Sequence, residues 1–343
     1  MKIAKNKYYK IEKIKQRNGV DVHITIDNNF SLYRYRSINK FTTQQFENDE
    51  LFATLPTAFN DPYDATVRFS ENKIKRHIKE FLLQNNDFLE SLLLKNNYKR
   101  QEINLLVDCI YQRDLSPNIF FNNSTFALAC FSTDVTQEIM WAHYADMATG
   151  FAVEYDYSEL CSLCQKHQQD VITILKEFNF IDGLNVEDFL IENPLLPIIY
   201  DNAKHDVTDF YNEYIKLVLF KIKNGGQYNP LETALEIANN ESVKAKQTST
   251  IQNVYFRKKI PWSYENEWRL ICYNYNVFIG QLNNNFVNIG KIIPKAIYLG
   301  EKISNYDKEA LINLAKKKGI KIYIMQTKIC RNTLKLVPLE ISY

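Results

Sequence analysis

The chain predicts an α+β fold in which a mixed or antiparallel β-sheet forms the core and helical insertions surround it. Three observations carry that prediction. Aromatic and β-branched runs of strand type occur in the first half of the chain and return in its last third. Between them lie long stretches with apolar residues at helical spacing. No internal repeat and no Pro-, Gly- or Ser-rich linker divides the chain.

In order, residues 1–30 form a basic lead. Its opening MKIAKNKYYKIEKIK is polar and helical in pattern, and Val20–Ile26 reads as a strand. Leu32-Tyr33-Arg34-Tyr35-Arg36 reads as a strand with both arginines on one face, because side chains alternate along a strand. A short helix over Asn39–Asn48 and a strand over Leu51–Leu55 follow, then a loop over Pro56–Asp64 that contains FNDPYD. Residues 74–113 are helical, with Ile78, Phe81, Leu82, Phe88, Leu89, Leu92 and Leu93 as the apolar stripe. Phe126–Phe131 is a strand ending in the polar turn Ser132-Thr133-Asp134. Glu138–Tyr144 is a short helix and Gly150–Tyr155 a strand.

Residues 158–250 read as mostly helical, broken by Pro194, Pro197 and Gly225-Gly226. Strands return at Val254–Arg257, Trp268–Tyr273, Ala296–Leu299 and Ile320–Met325. A helix fits Asn305–Lys318, and Thr333–Ile341 alternates like an edge strand. The expected organisation is therefore a lead (1–30), an α+β core built from 31–157 and 251–343, and a helical insertion over 158–250.

With 343 residues the chain can bury a sizeable core. A net charge of +2 gives no global field pointing to nucleic acid or membrane. There is no run of eighteen apolar residues and no secretory h-region, and six scattered cysteines fit a reducing compartment. The expectation is a cytoplasmic protein with free thiols and no membrane partner. Glycine-rich phosphate loops, GxSxG and HExxH are missing, which argues against ATPases, α/β-hydrolases and zincins. Cys161-x-x-Cys164 with His167 and the distant His205 lacks the spacing of a zinc site.

The densest chemistry lies in RKKIPWSYENEWRLICY, Arg257 to Tyr273, which holds two of the three tryptophans. Glu265 and Glu267 are one residue apart. On a strand they share a face; on the turn entering the strand they aim into a neighbouring cleft. Arg34 and Arg36 offer planar donor forks for phosphate or carboxylate, or serve as surface charge. Asn60 and Asp61 suit a rigid Asx-turn corner. Asp61 and Asp64 would form a magnesium site with Glu265 and Glu267 if the four converged, and Lys258 or Lys259 would then serve a nuclease as base. Ser132 and Thr133 orient a substrate or cap the next helix. Trp141 and Tyr144 share a helix face and stack on a flat ring or pack in the core.

Taken together and in order, LYRYRS, FNDPYD, CFSTD, MWAHYAD with GFAVEYD, and WSYENEWRL resemble a bacterial family of unknown function, domain two-nine-seven-one. A looser resemblance is to ADP-ribosyltransferases of the Arg-Ser-Glu type. It rests on an early-strand arginine, an aromatic-Ser-Thr on a middle strand and Glu-x-Glu before a late strand. That resemblance implies a split-sheet, ADP-ribosyltransferase-like fold and NAD as the substrate. By the same resemblance Arg34 or Arg36 would hold the NAD pyrophosphate, and Ser132 and Thr133 would brace the nicotinamide side. Glu267 would stabilise the oxocarbenium-like ribose, Glu265 would orient a protein or nucleic-acid acceptor, and Tyr144 or Trp141 would stack on nicotinamide. It further implies a transferase or glycohydrolase acting as a toxin or anti-phage effector, possessing a regulatory protein partner. The alternatives are a non-catalytic nucleotide- or protein-binding module of a defence system and the magnesium-dependent nuclease.

Overall fold

A computed structural model describes residues 4–5, 8–16, 19–27, 29–61, 63–65, 68–115, 126–177, 191, 193–202, 206–225, 254–275, 285–330 and 333–342. For 4–5, 9–16, 19–25, 113–114 and 175 it describes the backbone alone. Pro62, His205, Gly226 and much of the expected insertion (178–190 and 227–250) lie outside the described residues.

The fold is α+β, with ten strands in one mixed, mostly antiparallel sheet. Its organising pair is β6 (Phe126–Ser132) and β11 (Glu267–Tyr273), antiparallel along their whole length with Glu267 opposite Ser132 and Arg269 opposite Cys130. Alternation then puts Ser132, Cys130, Glu267 and Arg269 on one face and Phe131, Trp268 and Leu270 on the other.

With β11 along one edge of β6, strands β4 and β5 share the other. Strand β4 (Ser31–Arg36) meets β6 only at Tyr33–Ser132, and β5 (Glu50–Thr54) meets it only at Thr54–Leu128. The sheet divides there. One arm runs from β4 through β7 (Phe151–Asp156), β13 (Ala296–Leu299) and β14 (Lys321–Cys330) to the edge strand β15 (Thr333–Glu340). The other pairs β5 with β12 (Phe286–Lys291). Only β13 and β14 run parallel within this sheet.

The main core lies on the Trp268 face. Helices α1 (Lys40–Glu47), α6 (Tyr157–Glu177) and α8 (Asn305–Lys318) cover it, burying Phe46, Leu160, Cys164, Leu311 and Ala315. Trp268 packs there against Phe30 and Tyr157, with ring centroids 5.0 and 5.6 Å away. On the opposite face α5 (Glu138–Tyr144) buries Met140 and Trp141 against Tyr35 and Tyr298. No helix among the described residues is long and apolar enough to cross a membrane.

Three expectations change. The opening of the lead is not helical: β2 (Tyr9–Gln16) pairs residue for residue with β3 (Gly19–Ile26), the strand expected at Val20–Ile26, so cross-strand hydrogen bonding overrides a weak local preference. Val254–Arg257 is not a strand; only Arg257–Lys258, here β10, pairs, with β9 (Ile199–Tyr200). Within 158–250 the described residues include strands as well as helices. The first helix, α6, packs on the sheet, and β8 (Leu195–Pro197) extends the sheet beside β11.

The helical unit instead combines α2 (Glu71–Gln84), α3 (Asn86–Lys95) and α4 (Ile103–Asp114) with α7 (Thr208–Lys223). They bury Ile78, Leu82, Leu106, Tyr211, Tyr214 and Val218 in a second core. Apolar stripes announce each helix, but which stripes meet is a long-range choice that no local pattern encodes.

Candidate functional site

The divided sheet opens onto a cleft of about 240 Å³. Its acidic end is built by a turn. Residues Ile260–Glu265 form a 3₁₀ turn begun by Pro261, and Asn266 reverses the chain in the left-handed region (φ 45°) before β11 starts at Glu267. Asn is among the few non-glycine residues that adopt this conformation readily. The Glu-x-Glu pair therefore straddles a turn, and both carboxylates converge on one ammonium. Lys258 Nζ donates to Glu265 Oε2 at 2.6 Å and Glu267 Oε2 at 3.2 Å, with Asp64 Oδ2 at 3.6 Å.

Arg269, fully buried on β11, completes the cluster. Its Nε donates to Glu267 Oε1 (2.6 Å) and its Nη2 to Glu267 Oε2 (3.2 Å). Nη1 donates to Asp64 Oδ1 and the Tyr255 carbonyl, both at 2.8 Å, and Nη2 also donates to Asp64 Oδ2. All five guanidinium donors are used. Tyr200 Oη accepts the Glu267 N–H at 2.8 Å.

Three carboxyls thus face two cations, all five side chains being buried. Burial opposes ionisation of Glu267, but Arg269 and then Lys258 outweigh it and hold the carboxyl down at about 2. Arg269 makes no hydrogen bond or ion pair to Glu265. Burial, then the Glu267 charge, push it up to about 7 against the pull of Lys258. Burial alone would lower Lys258, yet Glu267 and Glu265 raise it above its ordinary value, so it stays protonated. Tyr144 Oη donates to Glu265 Oε1 at 2.5 Å, and Asn60 Nδ2 donates to Tyr144 Oη at 3.5 Å. Burial and then Glu265 raise the Tyr144 phenol, which stays a neutral donor.

The other end is cationic. Arg34, 7 % exposed, donates from Nη2 to the Phe52 carbonyl across the divide between β4 and β5, and its Nη1 is buried without a partner. Arg36 donates to Gln45 Oε1 at 3.2 Å. Neither arginine has a carboxylate partner among the described residues. Burial lowers both guanidinium pKa values, and Arg34 lowers Arg36 further. A guanidinium does not give up its proton near neutrality, so both stay charged where burial and, for Arg36, the neighbouring Arg34 disfavour the charge.

Of the residues singled out in the sequence, Arg34, Tyr35, Arg36 and Asn60 line this cleft, as do Ser132, Tyr144, Glu265 and Glu267. Three do not. Trp141 is 1 % exposed, donates its indole N–H to the Val135 carbonyl and packs edge-on against Tyr35, so it has no face to offer a ring. Asp61 is buried in its own loop, its Oδ1 accepting the Tyr63 N–H as an Asx-turn. Thr133 stands beyond the lining, while Ser132 Oγ accepts the Asp134 N–H.

Asp64 converges with the two glutamates as a magnesium site would need, but the lysine and arginine already stand where a cation would sit. Among the described residues no group of His, Cys, Asp and Glu is arranged to hold a metal. Cys164 and His167 instead bond the Ile271 and Tyr273 carbonyls.

The sequence also allows a purely structural reading of Glu267, as an ion pair with Arg269 or Arg34 that stabilises the sheet. The structure holds the pair with Arg269 and adds Lys258 and Asp64 to it, which the sequence does not assign. Tyr200 carried no signal, because its partner is 67 residues away.

Neither a curated protein nor a solved structure gives a significant match to the chain. Residues 140–270, which include Tyr144, Lys258, Glu265, Glu267 and Arg269, match the family described as "Protein of unknown function (DUF2971)", the family whose motifs the sequence resembles.

Proposed function

We propose that the cleft binds NAD and breaks its glycosidic bond to nicotinamide, by ADP-ribosyl transfer or by hydrolysis. The observation that carries this is Arg34: a buried cation with no carboxylate partner and a spare donor, in the same cleft as the hydrogen-bonded carboxyl of Glu265. Arg34 and Arg36 clamp the diphosphate, whose charge compensates both guanidinium groups. The bond from ribose C1′ to the nicotinamide nitrogen then breaks, and its electron pair stays on the leaving ring. Positive charge grows on the ribose, and a fixed carboxylate nearby stabilises it. Water or an acceptor group attacks C1′, and the proton it sheds leaves by way of a carboxylate or solvent.

Glu265 takes the carboxylate role better than Glu267. Both oxygens of Glu267 are committed to Arg269 and Lys258, whereas Glu265 holds only Lys258 and the Tyr144 hydroxyl. Glu267 is then part of the scaffold. A toxin or anti-phage effector of this kind would arrest growth when expressed, and Glu265→Gln would relieve the arrest.

The test is nicotinamide release from NAD by purified protein, with and without cell lysate as a source of acceptor or activator. Wild type releases nicotinamide, and Glu265→Gln lowers the rate by about 100-fold or more without lowering the melting temperature. Absence of release under both conditions sinks the reading. A non-catalytic nucleotide-binding module is the second reading, favoured by the complete satisfaction of Arg269. It predicts NAD binding that Arg34→Met weakens, with no turnover.

A further inference from the structure

We propose that Lys258 is a positioning residue which makes Glu265 the one carboxyl of the cleft that gives up and regains a proton. This rests on the NAD reading for its catalytic meaning, but its geometry stands by itself. The acidic end holds Asp64, Glu265 and Glu267 against Lys258 and Arg269. Three carboxyls and two cations leave one carboxyl over, and a buried charge without compensation is costly. The position of Arg269 decides which one. It binds Asp64 through both terminal nitrogens and Glu267 through Nε and Nη2, and it makes no bond to Glu265. The surplus proton therefore belongs to Glu265, and among the described residues Lys258 is the only cation bonded to it.

Among the described residues the other titratable groups facing Glu265 pull in both directions. Tyr144 on α5 donates to it and favours its charged form, while Glu267 on β11 adds a like charge that, with burial, outweighs this. Tyr264 on its own turn bonds His143, and Tyr200 on β9 is engaged with the Glu267 N–H. Cys130 on β6 lies beside Glu267, where burial and that carboxylate keep its thiol protonated. Lys258 is itself fixed, with its ammonium 4.8 Å from the centre of the Trp262 ring. A positive charge growing in the cleft would complete the pairing: Glu265 releases its proton to solvent in the cleft and becomes the carboxylate facing that charge.

The experiment is a carbon-13 titration of protein labelled at glutamate carboxyls, run beside the pH profile of nicotinamide release. In wild type one glutamate titrates close to neutrality, and Glu265→Gln removes that resonance. Lys258→Met raises its midpoint by about one pH unit or more, and the ascending limb of the activity profile moves with it. Lys258→Arg keeps the cation and the wild-type midpoint. Glu265 titrating among the ordinary carboxylates, or a midpoint that Lys258→Met leaves in place, overturns the proposal.

Should Lys258→Met fail to fold, wild type, Glu265→Gln and Lys258→Arg still decide the matter through the wild-type midpoint. The titration needs no NAD. The expected titration without nicotinamide release overturns the NAD reading and keeps the role of Lys258; release with an ordinary Glu265 midpoint does the reverse.

Discussion

Two buried arginines stand in one cleft and live by different rules. Arg269 has two carboxylates and a carbonyl around it and uses all five donors. Arg34 has one carbonyl bond, the face of Phe131 at 5.7 Å and an Nη1 bonded to nothing. A buried charge that is fully paired behaves as scaffold, because removing it strands its partners. A buried charge left unpaired lowers stability and gains from an anionic ligand. The contrast separates what holds the cleft open from what the cleft would hold.

The largest effect should come from Arg269→Met. It leaves Asp64 and Glu267 buried with only Lys258 to compensate them, and we expect a loss of about 3–5 kcal/mol in denaturant unfolding. A loss below about 1 kcal/mol would mean that the cluster is not scaffold. Arg34→Met should do the opposite. Stability should change by less than about 1 kcal/mol, while affinity for NAD or inorganic pyrophosphate should fall about 10- to 100-fold, as for a lost charged hydrogen bond. Equal affinity in the variant would break the comparison.

The smallest effect is in the pH dependence of stability. Glu265 moves up on folding, from 4.5 to about 7, so the folded state binds the extra proton between those values. Its contribution is complete below about pH 4.5 and is lost as pH rises to about 7. Glu267 moves down to about 2, so its contribution is present above about pH 4.5 and is lost on further acidification. Wild type should therefore be most stable near pH 5. Glu265→Gln should lack the decline toward pH 7, a difference on the order of 2 kcal/mol between pH 5 and 8. Parallel curves for the two proteins would remove the surplus proton from Glu265.

Much of the frame is legible in the sequence because it is local. The aromatic and branched runs became β4, β6, β7 and β11, and Asn39, which caps α1 with its side chain, stands where the pattern begins that helix. Composition and alternation also named residues that share the cleft: Arg34, Arg36, Asn60, Ser132, Tyr144, Glu265 and Glu267 all line it. Roles were less legible than places. Trp141 and Tyr144 lie three apart on one short helix, yet one is core and the other meets Glu265. Only packing against Tyr35 on one side and the 260–265 turn on the other separates them.

By itself, then, the sequence determined the α+β class, the element order along most of the described chain and the residue types gathered at the cleft. Tertiary structure decided which charges are neutralised and which are not. Asp64 meets Arg269 across 205 positions of sequence, Tyr144 meets Glu265 across 121, and Arg34 bonds the Phe52 carbonyl where the sheet divides. Charge compensation depends on distance in space and on exclusion of water, and neither is a property of neighbours along the chain.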